Sequence, residues 1–279
     1  MITVLRAGPL TTVQDLGRPG YAHLGVPRSG ALDEPALRLA NRFVGNPDDA
    51  AALETTLLGC ALRFAEAALV AVTGAIAQVD VNGRPVERPH GHQLFEVPAG
   101  GVLDIKRASR GVRSYIAVAG GIEVEPVLGS RSTDTLSGLG PARLTDGVTL
   151  PVGVPSGAPS LVGEPARIGG ELVLGIRLGP RDDWFESHGL FGSAYQISPL
   201  SNRVGARLAG KALTRRNVGE LPSEGVALGA VQVPADGQPI IFLADHPTTG
   251  GYPVIGVVDD VTPLAQARPG TTVRFRELD

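Results

Sequence analysis

"ALVAVTGAIAQVDVNGRPVERP", residues 68–89, decides the fold class. Its Val/Ile/Leu-rich runs lead through Ile76, Val79 and Val81 into Asn82-Gly83. That dipeptide suits the two-residue hairpin turn, in which both central residues take positive φ. The stretch therefore predicts paired β-strands. Outward from it the texture repeats in "HQLFEVPAGGVLDIKRA" (92–108) and "RSYIAVAGGI" (113–122). Beyond residue 170 come "ELVLGIRLGP", "GVALGAVQVP", "QPIIFLAD", "YPVIGVVDD" and "TTVRFREL". Between these runs 38 Gly and 23 Pro are scattered rather than clustered, the pattern of a mainly β chain with many turns.

One stretch departs from strand texture. "TVQDLGRPGYAHLGVPRSGALDEPALRLANRFVGN", residues 12–46, opens with repeated Gly and Pro and then turns helical. Asp33 can cap a helix whose first turn holds Glu34 and Pro35. Leu37, Ala40 and Val44 give it an apolar stripe, with Ala36 and Phe43 alongside, and Gly45 with Asn46-Pro47 ends it. A Gly-rich loop leading into a capped helix reads as a fixed wall rather than a floppy arm.

At 279 residues the chain can bury roughly 75% of its unfolded surface without disulfide or metal staples. Composition changes at "PVGVPSGAPSLVGEPARIGG" (151–170), rich in Pro, Gly and Ser. The expected division is an N-terminal β subdomain over 1–155, with the Gly-rich loop and one helix, and a C-terminal β-barrel subdomain over 156–279. "PAGGVLDIKR" (98–107) and "RPGTTVRFRE" (268–277) both run from a Gly turn into a strand, a likeness that duplication or chance would equally produce.

Bulk properties exclude several roles. Hydrophobic residues make up 43% and charged ones 19% of the chain, which is globular composition. Net charge is −3, and Lys supplies only two of 25 basic residues, so no basic run invites a nucleic-acid backbone. The N-terminus lacks an export signal and no run reaches membrane-span length, so a soluble cytoplasmic protein is expected. Cys60 stands alone and reads as a buried small hydrophobe. His90 and His92 read as a solvated turn rather than a metal site. "GARLAGKA" (205–212) imitates a phosphate-binding loop, but it ends in Ala where the magnesium-holding hydroxyl belongs.

Four polar, Gly-containing segments remain as candidates. The opening loop carries Gln14, Asp15, Arg18 and Arg28; "GSRST" carries Arg131 and Ser132; "SNRVG" carries Asn202 and Arg203. "ADHPTTGGYP" carries Asp245, Thr249, Gly250 and Tyr252. Each has a bland reading as a polar turn or a cap. Together they hold guanidinium forks, carboxylates and backbone N–H groups, the parts that bind a small carboxylate or phosphate. Asp245 follows the apolar run "QPIIFLAD", where a carboxylate can orient a water or take a proton.

The same segments carry a family resemblance. "TVQDLGRPGY", "GVPRSGALD", "LRLANRFVGN", "GSRST", "SNRVGARLAG", "SEGVALGAVQVPADGQPI" and "TTGGYP" resemble the family of the 5-oxoprolinase C subunit, also called the KipA or allophanate hydrolase subunit 2 family. The resemblance implies a cyclophilin-like β-barrel architecture and kinship with the carboxyltransferase region of urea carboxylase. It implies ATP-dependent hydrolysis of 5-oxo-L-proline to glutamate, in a complex with a KipI-like partner (the B subunit) and sometimes a third chain (the A subunit). ATP with Mg would then act through the complex. No biotin-attachment Met-Lys-Met occurs, so no biotin is expected on this chain. The expected catalytic residues are Asp245 and Asp15, with Gln14, Arg18, Arg28, Arg131, Ser132, Asn202, Arg203, Thr249, Gly250 and Tyr252 binding substrate. Two other readings are allophanate or urea-type carboxyl transfer and a regulatory protein that antagonises a KipI-type kinase inhibitor.

Overall fold

A computed structural model describes residues 1–86, 93–163, 168–179, 181–186, 188–216 and 219–278; the His90–His92 turn lies outside the described residues. The chain forms two compact units from interleaved segments. The first takes 1–18, 33–134 and 138–168, and the second takes 19–32, 135–137 and 169–279. Two short pieces of the N-terminal half thus belong to the unit otherwise made by the C-terminal half.

The first unit is built on two long antiparallel strands, Ala68–Val81 and Val102–Val118. Asn82 and Gly83 join the former to Arg84 as a two-residue turn with φ of 52° and 75°, as their sequence requires. The register between the long strands shifts repeatedly from Gly74 to Val79, and such bulges bend a sheet. One edge of Val102–Val118 then pairs with Ala61–Phe64 near its start and with Ala52–Thr56 near its end. Thr11–Gln14 extends the sheet beyond Ala52–Thr56, while Ile2–Arg6 and Thr149–Leu150 extend it beyond Ala61–Phe64.

Side-chain alternation gives this sheet two different faces. Val13, Leu53, Ile116 and Val72 stand in register across four strands and point into an apolar core. The neighbouring rung is Thr12, Glu54, Tyr115 and Thr73. All four are buried too, so the sheet has a second, polar interior face. Helix α1 (Glu34–Phe43) packs on the two long strands. It is tied to the polar face by Thr73 Oγ1, which donates to the Ala36 carbonyl at 2.7 Å. Asp33 Oδ1 caps it by accepting the Ala36 N–H at 3.1 Å, and the Asp33 N–H donates to Tyr115 Oη at 2.8 Å. Leu37, Ala40, Phe43 and Val44 are buried, as the apolar stripe predicts.

The second unit is a closed seven-strand barrel. Its order is Leu172–Leu178, Val254–Val258, Ala230–Gln232, Ile240–Phe242, Gly205–Ala209, Tyr195–Ile197 and Thr272–Glu277. The last strand closes the ring by pairing in parallel with the first. Leu174, Ile176, Val231, Ile241, Ile255 and Phe275 fill its interior, whereas Val173 and Arg274, one residue over, face outward. Closure leaves no unpaired sheet edge. Gly205–Ala209, the start of the phosphate-loop mimic, is a barrel strand.

Removing the cap tests how α1 is seated. Asp33→Ala is expected to cost about 1 kcal/mol, the usual loss of a helix N-cap, while Asp33→Asn keeps most of it. Urea unfolding of the variants measures both; equal stability of the Ala variant and wild type would contradict the cap.

Candidate functional site

In the first unit, Asp15 follows strand Thr11–Gln14 and gathers the loop 130–132 around its carboxylate. Oδ1 accepts Ser130 Oγ at 2.6 Å, Ser132 Oγ at 2.5 Å and the Gly17 N–H at 2.7 Å; Oδ2 accepts the Arg131 N–H at 2.6 Å. A carboxylate so engaged is a fastener for its loop. Arg18 is buried and donates from Nε to the Val127 carbonyl and from Nη2 to that of Ser132. Gly140 presses on the same place: a Cβ there would lie 2.1 Å from the Ser132 carbonyl oxygen. Arg131 sends its side chain to the Val124 carbonyl at 2.8 Å and the Glu123 carboxylate at 2.6 Å.

The same unit carries the polar rung. Tyr115 Oη donates to Glu54 Oε2 at 2.7 Å, and the Arg113 guanidinium stands 3.5 Å from Glu54 Oε1. Burial first, and then the negative charges of Glu54 and Asp33, push the Tyr115 hydroxyl pKa well above its ordinary value. It therefore stays protonated and holds its donor position. Gln14 is 0% exposed, two residue pairs along from the rung, and folds back so that Nε2 donates to Thr12 Oγ1 at 3.0 Å and the Thr133 carbonyl at 2.9 Å. Thr133 and Asp134 are buried beside this end of the sheet.

In the second unit, Asp245 is the hub. It is 0% exposed, and Arg203, 1% exposed, grips it through two 2.9 Å contacts, Nε to Oδ2 and Nη2 to Oδ1. Ser29 Oγ donates to Oδ1 at 3.0 Å; the Thr135 N–H and Oγ1 donate to Oδ2 at 3.0 and 2.6 Å. Arg203 Nη2 also donates to the Gly30 carbonyl at 2.6 Å. Ser29 holds φ of 56°, a left-handed conformation that is costly for a residue with a Cβ. Burial alone would raise the Asp245 pKa, but the Arg203 guanidinium and the Thr135 hydrogen bonds outweigh it and hold the carboxyl below its ordinary 3.8. This geometry describes a structural clasp; taking a proton would require the Arg203 pair to open.

The remaining expected residues are spread over the second unit. Arg28 is half-buried between Pro27 and Ser29. Asn202 is exposed and accepts the Val204 and Gly205 N–H groups at 2.8 and 3.2 Å; it turns the chain into a strand rather than capping a helix. Thr249–Gly250 pairs with Glu224–Gly225, and Tyr252 is 47% exposed. So the first unit brings together Gln14, Asp15, Arg18, Arg131 and Ser132, and the second joins Arg203 to Asp245. Sequence reading did not single out Glu54, Arg113, Tyr115 or Thr135. The signal for Glu54 was a lone charge among the uncharged residues of "ALETT". Burial pushes the Cys60 thiol up to about 12, which leaves it inert. Among the described residues no cluster of three or more His, Cys, Asp or Glu could hold a metal, and no helix is long and apolar enough to cross a membrane.

A family model described as "Carboxyltransferase domain, subdomain A and B" matches residues 24–277. The chain belongs to the carboxyltransferase domain family. Within it, the chain is 41% identical to the C subunit of Escherichia coli 5-oxoprolinase, over 99% of this chain and 90% of that relative. It is 32% identical to urea amidolyase of Lachancea kluyveri, over 98% of this chain but 16% of that much longer protein. Among solved structures, K. lactis urea amidolyase superposes with a TM-score of 0.90 at 29% identity, covering all of this chain and 19% of that one. The mainly β chain expected from the strand texture, and the barrel that the resemblance implied, are therefore the fold of this family.

The clasp makes a signed prediction. Arg203→Met leaves Asp245 buried without its cation, a change that costs about 3–5 kcal/mol at neutral pH. Because the folded-state pKa of Asp245 lies below 3.8, the wild-type contribution is full above the unfolded value and lost as pH falls through the folded one. The stability gap between wild type and Arg203→Met should therefore close below about pH 4. Denaturant midpoints measured across pH check this, and a gap that stays constant into acid would contradict it.

Proposed function

We propose that this chain is one component of an ATP-dependent 5-oxoprolinase, opening 5-oxo-L-proline to glutamate. Its site would be shared with a KipI-like partner (the B subunit), and with the A subunit where present. The observation that carries the reading is the 41% identity to the C subunit of E. coli 5-oxoprolinase across 90% of that relative. The urea amidolyase match is weaker and spans only 16% of its relative.

The chemistry suits a divided site. A five-membered lactam carbonyl is a poor electrophile, and ATP with Mg supplies its activation. Such a reaction needs hydrogen-bond groups that orient the amide, and it needs exclusion of bulk water. Arg18, Arg131 and Arg203 commit their guanidinium groups to partners inside the protein. That supports assigning the nucleotide phosphates to another chain of the complex. Proton transfer by Asp245 or Asp15 is the less favoured form of this proposal, since each carboxylate already accepts several short hydrogen bonds.

A second reading, carboxyl transfer or hydrolysis in urea breakdown, is favoured by the TM-score of 0.90 to K. lactis urea amidolyase. Reconstitution with the partner chains separates the two. The complex is expected to release glutamate from 5-oxoproline with stoichiometric ATP consumption and to leave allophanate intact. The chain alone should hydrolyse neither ATP nor 5-oxoproline. Allophanate decomposition without glutamate release would replace the proposal with the second reading, and partner binding without any turnover would favour a regulatory protein.

A further inference from the structure

The first unit carries a cavity apart from the polar rung and the Asp15 fastener. It measures about 460 Å³, within the range of preformed binding pockets. One wall is the chain at 66–69, where Glu66 and Ala67 lead into strand Ala68–Val81, together with the buried Phe64 and Val44. The other is the segment 152–159, which contributes Val152, Gly153, Pro155, Gly157 and Pro159. This second wall is anchored at two points. The Gly153 N–H donates to the Gly121 carbonyl at 3.1 Å, and a Cβ on Gly153 would lie 2.3 Å from the Gly120 carbonyl oxygen. Further along, a Cβ on Gly157 would lie 2.3 Å from the Gly45 carbonyl oxygen, and the Ser160 N–H donates to the Arg42 carbonyl at 3.0 Å. Backbone meets backbone at both points, an approach that Gly permits. The wall is fixed, so the cavity is preformed.

The surroundings define what the cavity can take. Val154, between two lining residues, is 87% exposed, and Leu161 and Val162 just past the segment are exposed as well. Met1, itself on the lining, is also exposed. A compact ligand inside the cavity would leave these apolar side chains in water. A protein surface would cover them, and exposed apolar residues gathered in one place mark such contacts. Glu66 is the one lining side chain that carries a charge, and it is exposed and makes no ion pair among the described residues. Its carboxylate sets the sign of the occupant: an apolar group with a cation beside it.

We propose that this cavity is a docking site for another chain of the complex, which inserts an apolar side chain and sets a Lys or Arg opposite Glu66. The proposal rests on the reading of this chain as one component of a multi-chain enzyme, and it adds a surface through which the components meet. The same domain is covalently part of a larger body in K. lactis urea amidolyase, where the match covers 19% of the chain, so contact with further protein suits it. An anchor side chain buried in a pocket, ringed by contacts that exclude water, is how interfaces concentrate their binding energy. A wall already held in place lowers the cost of ordering on binding.

The test uses the full chain with the purified B subunit, alone and together with the A subunit. Ala67→Trp brings an indole to the cavity from an exposed position, and Glu66→Lys reverses the charge. Dissociation constants are measured by calorimetry, with melting temperatures as the check on folding. Ala67→Trp should weaken partner binding by about 10- to 100-fold. Glu66→Lys should weaken it by about tenfold and slow association at low salt. In wild type, amides of 66–69 and 152–158 should gain protection from hydrogen exchange when the partner binds, a readout that stands even if a variant does not fold. Wild-type binding that neither substitution changes overturns the proposal and leaves the multi-chain reading intact, as does partner binding without new protection at the cavity. Self-association of the chain alone that Ala67→Trp abolishes also overturns it, by giving the cavity to a second copy. Failure of wild type to bind either partner overturns the proposal and the multi-chain reading together.

Discussion

The second unit depends on a single buried ion pair. Arg203 and Asp245 are almost wholly withdrawn from water, a placement that costs several kcal/mol per ion unless geometry and further hydrogen bonds compensate. Here they do. The two side chains meet through two contacts, and Ser29, Thr135 and the Gly30 carbonyl satisfy the remaining positions. The partners come from three separated parts of the chain, so the pair recruits 19–32 and 135–137 into a unit otherwise made from residue 169 onward. An apolar cluster could hold these pieces together, but it could not specify which backbone groups meet.

The first unit meets a related constraint on a sheet. Its apolar face follows the ordinary rule of burying hydrophobic residues. Its other face buries Thr12, Glu54, Tyr115 and Thr73 in one rung beneath a helix. Stability alone would favour aliphatic residues there. A polar rung persists in such a place when it positions something, and part of what it positions is visible: Tyr115 seats the start of α1 and orients Glu54.

How far the sequence carried this depended on the range of each signal. Asn82-Gly83 forms its turn and Asp33 its cap because both are decided within a few residues. The long runs of Val and Ile became the long strands, "ALVAVTG" and "RSYIAV" each being legible as strand texture. Thr11–Gln14, Ala52–Thr56 and Gly205–Ala209 did not announce themselves as strands, being short and rich in Thr, Ala or Gly. The polar rung was illegible for another reason: its members align only once the register of four strands is known. The clasp is further still from local reading, since Ser29 and Asp245 are 216 positions apart. The segments flagged as polar supply the buried fasteners of both units. Their arginines and aspartates, however, are largely committed to one another and to backbone, which sequence cannot distinguish from readiness for a ligand.

Hydrogen exchange on Asp245→Asn within the reconstituted complex, with turnover followed in the same preparation, tests the central claim that this carboxylate is a clasp. The substitution removes the charge that Arg203 needs while keeping the side chain's shape. Amides of residues 19–32 and 135–137 should lose protection, while the sheet around Val102–Val118 keeps its own, and any fall in turnover should track that loosening. Unchanged protection in both segments together with abolished turnover would contradict the account and return Asp245 to the chemistry.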